Sequence, residues 1–549
     1  MKSPILGSSY VARSVNAADS RMVNLFPEIV PEGGKEPAFL NRAPGLRLLA
    51  NMGDGPIRGM WQFNGHGYVV SGNVLYKVDS LFRPFPIGTV SGSPGPVSMS
   101  DNGTQLFVAC NGPSYIYNSL TLEFKQIDDP DFPGAVTVGY LNGYFVFNEP
   151  NSQRIWITQL LDGTSIDPLD FASAEGSPDG LVSLLISHRE AWLFGTNSVE
   201  VWYDSGAADF PLTPVQGSFN EIGCVAAYSV AKLDNGIFWL GADARGRGIV
   251  YRASGYTATR ISTHAVEWQI QQYGTLSDAI AYTYQQDGHA FYVLIFPSAN
   301  TTWVYDVATS AWHERAAFVN GSFTRHRSNC QMSFSNEIVV GDHEVGNIYA
   351  FDLDVFSDNG DVQKWLRSWR ALPTGTNDLK RTAQHSLQLD AETGAIESSV
   401  TTPIVIKDIS TPEDDLLTES GDILVWELAG TDSLLTESGD IIVQEDGDLM
   451  YYDGAPSTIG GAILVQIGLP EAFAIDPQVM LRWSDDGGHT WSNSHWRSMG
   501  LTGQYGRRVI WRRLGMTLKL RDRVYEVSGT DQVKIAIMGA ELIVSATNG

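Results

Sequence analysis

The stretch Ser484–Trp491 reads SDDGGHTW and is the most specific local motif in the sequence. It fits the pattern Ser-x-Asp-x-Gly-x-Thr-Trp, known as an Asp-box, in which the aspartate and threonine fix a hairpin turn and the tryptophan anchors it in a sheet. In enzymes that carry this pattern, the turn lies away from the active site. The motif therefore predicts a structural turn. Its residues are Ser484, Asp486, Gly488, Thr490 and Trp491.

No other motif indicates catalysis. The ten histidines form no HxxxH or HExxH arrangement, and the sequence contains neither GxSxG nor GxxxxGK. A glycosidase needs two carboxylates about 5 to 10 Å apart, and an acidic chain offers too many candidates to select a pair. The stretch 241–248 (GADARGRG) has no helix after it, which favours a turn over a phosphate loop. We therefore expect a protein that is not an enzyme and has no catalytic residue, cofactor or bound metal.

Carboxylates concentrate between about residues 408 and 453, where the sequence has no Lys or Arg. Two near-duplicates, Leu416–Val425 and Leu434–Val443, each place a Glu-Ser-Gly-Asp turn before an apolar strand. Calcium would suit such carboxylates, but the spacing matches neither an EF-hand loop nor a nine-residue β-roll. A solvated loop or an acidic channel wall facing DNA is the preferred interpretation. The candidate residues for this surface are Asp414, Asp415, Glu419, Asp422, Glu437 and Asp440.

Positive charge collects near the end of the chain, in the run RRVIWRRLG that contains Arg507, Arg508, Arg512 and Arg513. Strand alternation would place Arg508 and Arg512 on one face, and Arg513 with Trp511 on the other. Arginine on both faces is costly unless carboxylates or backbone acceptors pair with it. The four arginines are therefore predicted to contact another subunit, with phosphate binding as the alternative.

The elements that must position these residues are β-hairpins. Between about residues 57 and 353, apolar strands alternate with Gly-, Asn- or Asp-containing turns, and the copies begin about 40 to 50 residues apart. One such unit cannot bury both of its faces, so a closed ring of units is the stable solution. The copies are Met60–Asp79, Ser98–Asn118, Val138–Thr158, Leu184–Asp204, Val230–Arg252, Tyr282–Asp306 and Met332–Asp352.

This pattern predicts an all-β fold: a six- or seven-bladed β-propeller over residues 51–360, followed by a β-rich, sandwich-like platform over 361–549. Residues 1–50 are expected to form an extended arm that packs on the C-terminal domain or on a neighbouring subunit. The acidic segment at about 408–453 is an insert in the platform. A β-sandwich or a string of unrelated hairpins is the alternative to the propeller.

Bulk composition sets further limits. The net charge of −26 disfavours a protein that grips nucleic acid by its phosphates. No stretch of eighteen apolar residues and no signal peptide is found, so no membrane segment is expected. The three cysteines are widely spaced and form no CxxC pair, which favours folding in a reducing cytoplasm.

Two stretches resemble a known family beyond their pattern. The first contains VNLFPE (Val23–Glu28) and FLNRAPGL (Phe39–Leu46), and the second runs from Met480 to Gly515, MLRWSDDGGHTWSNSHWRSMGLTGQYGRRVIWRRLG. Both are similar to the packaged-DNA stabilisation, or tail hub, proteins of short-tailed bacteriophages. With the predicted propeller between them, the resemblance spans most of the chain, and the acidic insert is expected to lie outside the common pattern.

The resemblance implies a structural virion protein, a tail nozzle or hub that acts as a head-tail connector. It would form a homohexamer below the portal and adaptor proteins, contact tail fibres or spikes, and retain packaged double-stranded DNA that later passes through without sequence-specific binding during DNA ejection. Assembly would take place in the host cytoplasm. The alternative function is a carbohydrate-binding or sialidase-like propeller at the tail tip.

Overall fold

The structure is a computed structural model. It describes residues 1–13, 19–30, 34, 36–92, 94–174, 176, 179–207, 210–243, 246–373, 381–396, 404–406, 424–425, 435–436, 463–465, 476–501, 507–518 and 523–547. It divides into a large unit, residues 1–396 with 476–549, and a smaller unit, residues 397–475. The smaller unit is described by two strand pairs, Ile404–Ile406 with Ile463–Val465 and Leu424–Val425 with Leu435–Thr436.

Seven antiparallel sheets follow one another along the described part of the large unit, and each contains one of the seven sequence copies. They are numbered here as blades. Their strands are Ile57–Phe63, His66–Ser71, Val74–Val78 and Pro84–Thr89 (blade 1); Ser98–Asp101, Gln105–Ala109, Ser114–Asn118 and Phe124–Gln126 (blade 2); Val138–Leu141, Tyr144–Asn148, Arg154–Ile157 and Phe171–Ser173 (blade 3); Leu181–Ser187, Glu190–Gly195, Val199–Asp204 and Leu212–Pro214 (blade 4); Gly223–Cys224, Ala231–Leu233, Gly236–Asp243, Gly246–Ser254 and Thr257–Arg260 (blade 5); Ile280–Gln286, His289–Phe296, Thr301–Asp306 and Ala311–Glu314 (blade 6); and Ser328–Phe334, Glu337–Asp342, Asn347–Asp352 and Gly45–Asn51 (blade 7).

The tight turns have the backbone conformation that their residues predict. Asn64 and Gly65 join the first two strands of blade 1 with φ of 48° and 72°, and Asn142 and Gly143 do the same in blade 3 with 50° and 103°. Asparagine and glycine adopt positive φ at little cost, so these pairs fix both the turn and the strand register. The hairpin is thus the local unit from which each blade is built.

The blades close into a ring. The innermost strand of blade 7, Ser328–Phe334, packs beside the innermost strand of blade 1, Ile57–Phe63. Among the described residues, seven apolar clusters each combine side chains of two neighbouring blades, including the seam between blades 7 and 1. Each sheet is therefore buried on both faces. The expected six- or seven-bladed propeller is confirmed, with seven blades.

Blade 7 differs from the prediction in its fourth strand. Gly45–Asn51 pairs antiparallel with Asn347–Asp352 and supplies the outer strand of that blade. Residues 45–50 were predicted to belong to an extended arm, because the sequence repeat becomes visible only after residue 57. Pairing between strands so far apart in the chain leaves no trace in local periodicity.

Blade 6 continues into a second body of the large unit, a sandwich of two sheets. The first, named here the extended sheet, carries on from blade 6 and has nine strands. Its added strands are, in spatial order, Met22–Val23, Trp365–Arg370, Val524–Gly529, Gln478–Ser484 and His495–Ser498. The second, the cover sheet, has the order Val509–Met516, Thr382–Ile396, Val533–Ala546, Ala38–Arg42 and Leu25–Ile29, and Lys2–Ser3 also pairs with Val533–Ala546.

The two sheets enclose one apolar core. Trp365, Trp369 and Tyr525 from the extended sheet pack with Trp511 and Leu387 from the cover sheet, all at most 1 % exposed. The predicted sandwich-like C-terminal platform is confirmed. It also takes strands from the first 42 residues: Met22–Val23 pairs with Trp365–Arg370, and Ala38–Arg42 pairs with Val533–Ala546.

Arg42 ties the sandwich to the end of the propeller. Its guanidinium is buried and donates hydrogen bonds to the carbonyl oxygens of Phe356 and Gln363 at 2.9 and 2.6 Å, and of Asp531 and Val533 at 2.5 and 2.9 Å. A buried arginine is stabilised when such acceptors replace the water it loses. The site therefore holds three distant parts of the chain together.

The remaining elements are short. The pairs are Tyr10–Val11 with Asp19–Ser20, Ala316–Val319 with Ser322–Arg325, and Ser357–Asp358 with Asp361–Val362. A 3-10 turn spans Ala227–Ser229, and an α-helix, His264–Gln271, begins after Thr263, whose side chain accepts a hydrogen bond from the Val266 N–H. Among the described residues, no helix has the length and apolar character needed to cross a membrane.

Candidate assembly interface

The Asp-box forms the predicted turn, between strands Gln478–Ser484 and His495–Ser498 of the extended sheet. The carboxylate of Asp486 accepts hydrogen bonds from the hydroxyl groups of Ser484 (2.6 Å) and Thr490 (2.5 Å), and from the N–H groups of His489 (3.0 Å) and Thr490 (2.8 Å). The Gly488 N–H donates to the Ser484 hydroxyl at 2.7 Å. These bonds hold the pKa of Asp486 well below its usual range, and the bond from the Ser484 hydroxyl has the largest effect.

Trp491 packs on the extended sheet without entering the core. It is half-buried, and the guanidinium of Arg482 lies 4.7 Å from its ring centre. Arg482 in turn forms a two-point ion pair with Glu526 on the neighbouring strand, at 2.6 and 2.8 Å. The tryptophan thus packs over an ion pair whose glutamate is buried and whose arginine is partly exposed.

Asp485, next to the motif aspartate, holds a buried arginine that the sequence analysis did not single out. Both oxygens of its carboxylate accept from Arg523, at 2.7 and 2.9 Å, and Arg523 also donates to the carbonyl of Leu514 at 2.5 Å. Leu514 belongs to the cover sheet, so this arginine joins the two sheets. The Asp-box residues therefore have a structural role.

Arg512 and Arg513 lie on Val509–Met516, an edge strand of the cover sheet, and Arg507 and Arg508 come directly before it. Val509, Trp511 and Leu514 point into the core, whereas Arg512 and Arg513 are both exposed. The prediction that Arg513 shares a face with Trp511 is wrong. Arg513 has a φ of +61°, and the register with strand Thr382–Ile396 shifts there, so Arg513 and Leu514 lie opposite the single residue His385. This β-bulge turns Arg513 out to solvent.

The four predicted arginines divide into two pairs. Arg507 and Arg508 line a cleft of about 960 Å³ together with Lys2 and with the carboxylates of Glu36 and Glu541. Arg512 and Arg513 lie further along the strand, where the paired position across Arg512 is Ser386. In the part of the chain that the structure describes, none of the four forms an ion pair within 4 Å, so their charge is available to a partner.

Exposed apolar side chains accompany these arginines. Strand His495–Ser498 contacts the arginine strand, and the Arg497 guanidinium donates to the Ile510 carbonyl at 3.3 Å. Trp496 is 52 % exposed, and Ile543 lies two strands away in register with Ser386 and Arg512. The name arginine surface is used below for Arg497, Arg507, Arg508, Arg512 and Arg513 with the exposed apolar residues Trp496, Met516, Leu518 and Ile543.

The apolar part of the arginine surface was missed by the sequence analysis. Trp496 precedes Arg497 directly, and Met516 and Leu518 follow Arg513 two residues apart from each other. The mixture of apolar and basic residues could therefore have been recognised from the sequence. The exposure of Ile543 was not, because it depends on which face of a long strand meets the core. Large apolar residues beside cations at the edge of a sheet are typical of a protein contact.

The six acidic candidates, Asp414, Asp415, Glu419, Asp422, Glu437 and Asp440, lie outside the described residues. Their role stays a prediction. In the residues that the structure does describe, no three side chains of His, Cys, Asp or Glu come together as metal ligands would.

The propeller axis encloses an opening of about 530 Å³, lined by the innermost strands of six blades and, in blade 5, by the 3-10 turn Ala227–Ser229 and Val230. Its charged lining residues, among those described, are Arg58 and Asp101. Arg58 donates to the carbonyls of Gly72 and Ser91, at 2.9 and 2.7 Å, and Asp101 accepts from the Trp61 indole at 2.8 Å. Because protein groups already satisfy both charges, this geometry gives no support to the sugar-binding or hydrolase alternative.

Comparisons with known proteins agree with this architecture. A family model described as "Bacteriophage P22 Gp10, beta-propeller" matches residues 1–356, and one described as "Bacteriophage P22 Gp10, beta-sandwich" matches residues 452–545. No curated protein matches the chain.

Solved structures of low similarity also match. A streptogramin B lyase is 10 % identical, with 60 % of this chain and 98 % of that one covered and a TM-score of 0.38. The Cps50 (Swd1) beta-propeller domain of Myceliophteria thermophila is 8 % identical, with coverage of 55 % and 98 % and a TM-score of 0.38. The computationally designed Ika8 protein is 12 % identical, with coverage of 60 % and 96 % and a TM-score of 0.35.

Proposed function

This chain belongs to the bacteriophage P22 Gp10 family, and we propose that within the phage tail it forms a ring, taken here as a hexamer, that extends the portal and adaptor channel. It is a structural tail protein and a component of the virion. The ring would retain the packaged DNA and conduct it on ejection. Portal-adaptor proteins above the ring and fibres or spikes around it are the proposed partners.

The observation that carries the proposal is the arginine surface. Arginines at a sheet edge, without ion pairs in the described part of the chain and beside exposed tryptophan and leucine, have the composition of a protein interface. An exposed edge strand is also a place where another chain can pair or pack. A tail ring needs such a surface on each subunit.

Charge supports a conduit at the centre of the ring. The net charge is −26, so six copies would carry −156. An acidic wall repels the DNA phosphates and lets a duplex slide without sticking, because tight nonspecific binding requires many cations. The opening inside one propeller, about 530 Å³, cannot admit a duplex whose major groove alone is about 12 Å wide. The channel would therefore lie between subunits.

The test replaces the two exposed arginines of the edge strand by glutamate, in the double variant Arg512→Glu with Arg513→Glu. Ring formation should fall because the variant places like charges at the contact, and we expect the apparent Kd of assembly to rise at least about tenfold, or 1.4 kcal/mol. Native mass spectrometry or sedimentation velocity measures the oligomer, alone and with adaptor rings. Circular dichroism should show an unchanged fold, since both side chains are exposed.

The matched control makes the same change in net charge on blade 5. It is the double variant Lys232→Glu with Arg247→Glu, at two exposed positions. It should assemble normally. Normal incorporation of the Arg512 and Arg513 variant into particles would contradict the placement of the interface. An unmodified chain that stays monomeric and never joins adaptor or tail components would contradict the ring itself.

A further inference from the structure

Six exposed leucines lie on the outermost turns of three consecutive blades. These turns join the third and fourth strands of blades 1, 2 and 3, between residues 79–83, 119–123 and 158–170. Five of the six are more than 60 % exposed, and Leu120 and Leu169 reach 79 %. The name leucine rim is used below for Leu81, Leu120, Leu122, Leu160, Leu161 and Leu169.

Two of these leucines also have an unfavourable backbone. Leu122 and Leu161 have φ of +59° and +60°. A non-glycine residue with positive φ is uncommon, and asparagine or glycine would fit better there. Each position therefore has both a strained backbone and an apolar side chain in water. The turn geometry accounts for the positive φ but not for the choice of leucine, whereas a contact that buries the side chains would explain that choice.

Blade 6 shows that the turn itself does not require leucine. Its turn after Asp306 places a residue with positive φ, Ser310, four positions on, as the turn after Asn118 in blade 2 does with Leu122. In both turns, the side chain of Asp306 or Asn118 accepts a hydrogen bond from the backbone N–H two residues later, at 3.0 Å in blade 6 and 2.9 Å in blade 2. Ala308 and Ser310 occupy in blade 6 the places that Leu120 and Leu122 occupy in blade 2.

Hydrogen bonds between blades hold the rim in place. Asn64 of blade 1 donates to the Gly103 carbonyl of blade 2 at 3.1 Å, and the Gln105 side chain of blade 2 accepts from the Gly163 N–H of blade 3 at 2.7 Å. In blade 3, the Leu161 N–H donates to the Gly143 carbonyl at 2.8 Å. The leucines thus stand on one connected surface, which reduces the entropy lost when a partner binds.

The rim is acidic. Its turns and the adjoining strand carry five carboxylates and two cations, one of which, Arg83, is paired with Asp79 at 2.6 Å. The carboxylates are Asp79, Glu123, Asp162, Asp167 and Asp170, and the second cation is Lys125. A partner must therefore offer apolar side chains among positive charges. The arginine surface of this same chain has that composition, with four exposed apolar residues among five arginines.

We infer that the leucine rim of one copy docks on the arginine surface of the next copy. The contact joins two different surfaces, so repetition of it generates a ring when the rotation closes. Opposite charges would steer the encounter and fix the register, and the leucines would supply the buried apolar area. This inference rests on the proposed ring and names the two surfaces that build it.

The first experiment uses the backbone strain to separate folding from docking. In the variant Leu120→Ser, Leu122→Asn, Leu161→Asn, two strained leucines become asparagine, which favours positive φ. We expect an unchanged or raised Tm together with a loss of assembly of at least about tenfold. The control, Ala308→Ser with Ser310→Asn, changes the matching turn of blade 6 and should assemble normally. A variant that keeps its Tm and still forms rings overturns the inference.

The second experiment locates the contact by cross-linking full-length copies. Copies with Leu120→Cys are mixed with copies carrying Met516→Cys, and disulfide formation is followed by non-reducing electrophoresis. Two of the native cysteines, Cys110 and Cys224, are buried, and Cys330 is partly buried, which keeps the background low. Mixed dimers should form, whereas each variant alone should not cross-link. Cross-links among Leu120→Cys copies alone would indicate rim-to-rim pairing and overturn the inference.

The outcomes separate the two claims. A ring that forms without the mixed cross-link overturns the docking of rim on arginine surface but leaves the proposed tail ring standing. An unmodified chain that forms no ring, with or without adaptor proteins, overturns the proposed function and this inference with it.

Discussion

The propeller and the sandwich solve the same problem of burying sheet faces in opposite ways. Each blade seam joins units that are neighbours in sequence, except where the ring closes. The sandwich core instead collects Leu25 and Leu40 from the start of the chain, Trp365 from its middle and Trp511 from near its end. Local repetition builds the first body, and long-range pairing builds the second.

The two bodies also differ in what they bury. In the seam between blades 6 and 7, the guanidinium of Arg315 lies 5.1 to 5.4 Å from the rings of Tyr284, Phe291 and Phe351. His313 and His326 are buried in the same blades. In the sandwich, the histidines that the structure describes, His385, His489 and His495, are all exposed. Among the described residues, buried histidines are thus found in the propeller and not in the sandwich, so acid should affect the propeller first.

The largest effect should come from removing a core tryptophan in each body. Trp239 in the seam of blades 4 and 5 and Trp511 in the sandwich are both 1 % exposed. Replacement of either by alanine should lower the free energy of unfolding by about 3–5 kcal/mol. The two variants should differ in their effect on assembly. Trp511→Ala should also prevent ring formation, because Trp511 supports the arginine strand, whereas Trp239→Ala should leave ring formation intact. Denaturant unfolding and native mass spectrometry measure the two effects.

Equal loss of assembly in both variants would show that the sandwich has no special part in the ring. Trp496→Ala serves as a control for the core, because this side chain is 52 % exposed and its removal should leave unfolding nearly unchanged.

Acid should destabilise the propeller through its buried histidines. Burial lowers the pKa of His326 from 6.5 to about 3 and that of His313 well below its usual value. Below pH 6.5 the unfolded chain binds more protons at these histidines than the folded chain does. Their contribution to the free energy of unfolding is therefore fully present above pH 6.5 and is lost as the pH falls toward the folded pKa. For His326 the loss between pH 7 and pH 5 is about 2 kcal/mol. His289 acts in the opposite sense, because its hydrogen bond to Asp306 raises its pKa.

Urea unfolding at pH 7 and pH 5 measures this loss, and His326→Asn should reduce it by about 2 kcal/mol. His489→Asn changes an exposed histidine of the sandwich and should leave the pH dependence as it was. An unaltered pH dependence in the His326→Asn variant would contradict the assignment.

A small effect is expected at the Asp-box turn. Asp486→Ala removes four hydrogen bonds from an accessible turn, and we expect a loss of about 1 kcal/mol because water competes for such groups. The pKa of Asp486 is lowered, so its contribution is present above the usual carboxyl range and is lost on acidification. Thermal unfolding measures the change, and Asp167→Ala, in an exposed turn of the propeller, gives the comparison. A loss as large as that at Trp511 would mean that the turn holds the core.

The sequence predicted the elements whose signal is local. Each of the seven hairpin copies became a blade, because alternating apolar residues and Asn-Gly or Asp-Gly turns fix the hairpin without help from the rest of the chain. The turn of Ser484 and Asp486 was predictable for the same reason. Family resemblance at Val23–Glu28 and Met480–Gly515 then pointed to the tail protein family that the family models show.

Other features have no local signal. Gly45–Asn51 joins blade 7 across the length of the propeller, and the alternation rule failed at Arg513 because a bulge depends on the partner strand. The leucine rim was missed because leucines within hairpin repeats read as core. Their exposure is set by the turn to which each belongs. The sequence thus predicted the arginines of the candidate interface but not the exposed apolar residues around them.

Ring closure by Gly45–Asn51 has a consequence for synthesis of the protein. Asn51 bonds to Asn347, 296 residues later in the chain. At ribosomal rates, about 15 to 60 s separate the emergence of the two strands. During this time the nascent chain carries an unsatisfied strand, which a chaperone or another nascent copy could capture. Slower translation should therefore increase aggregation of this protein.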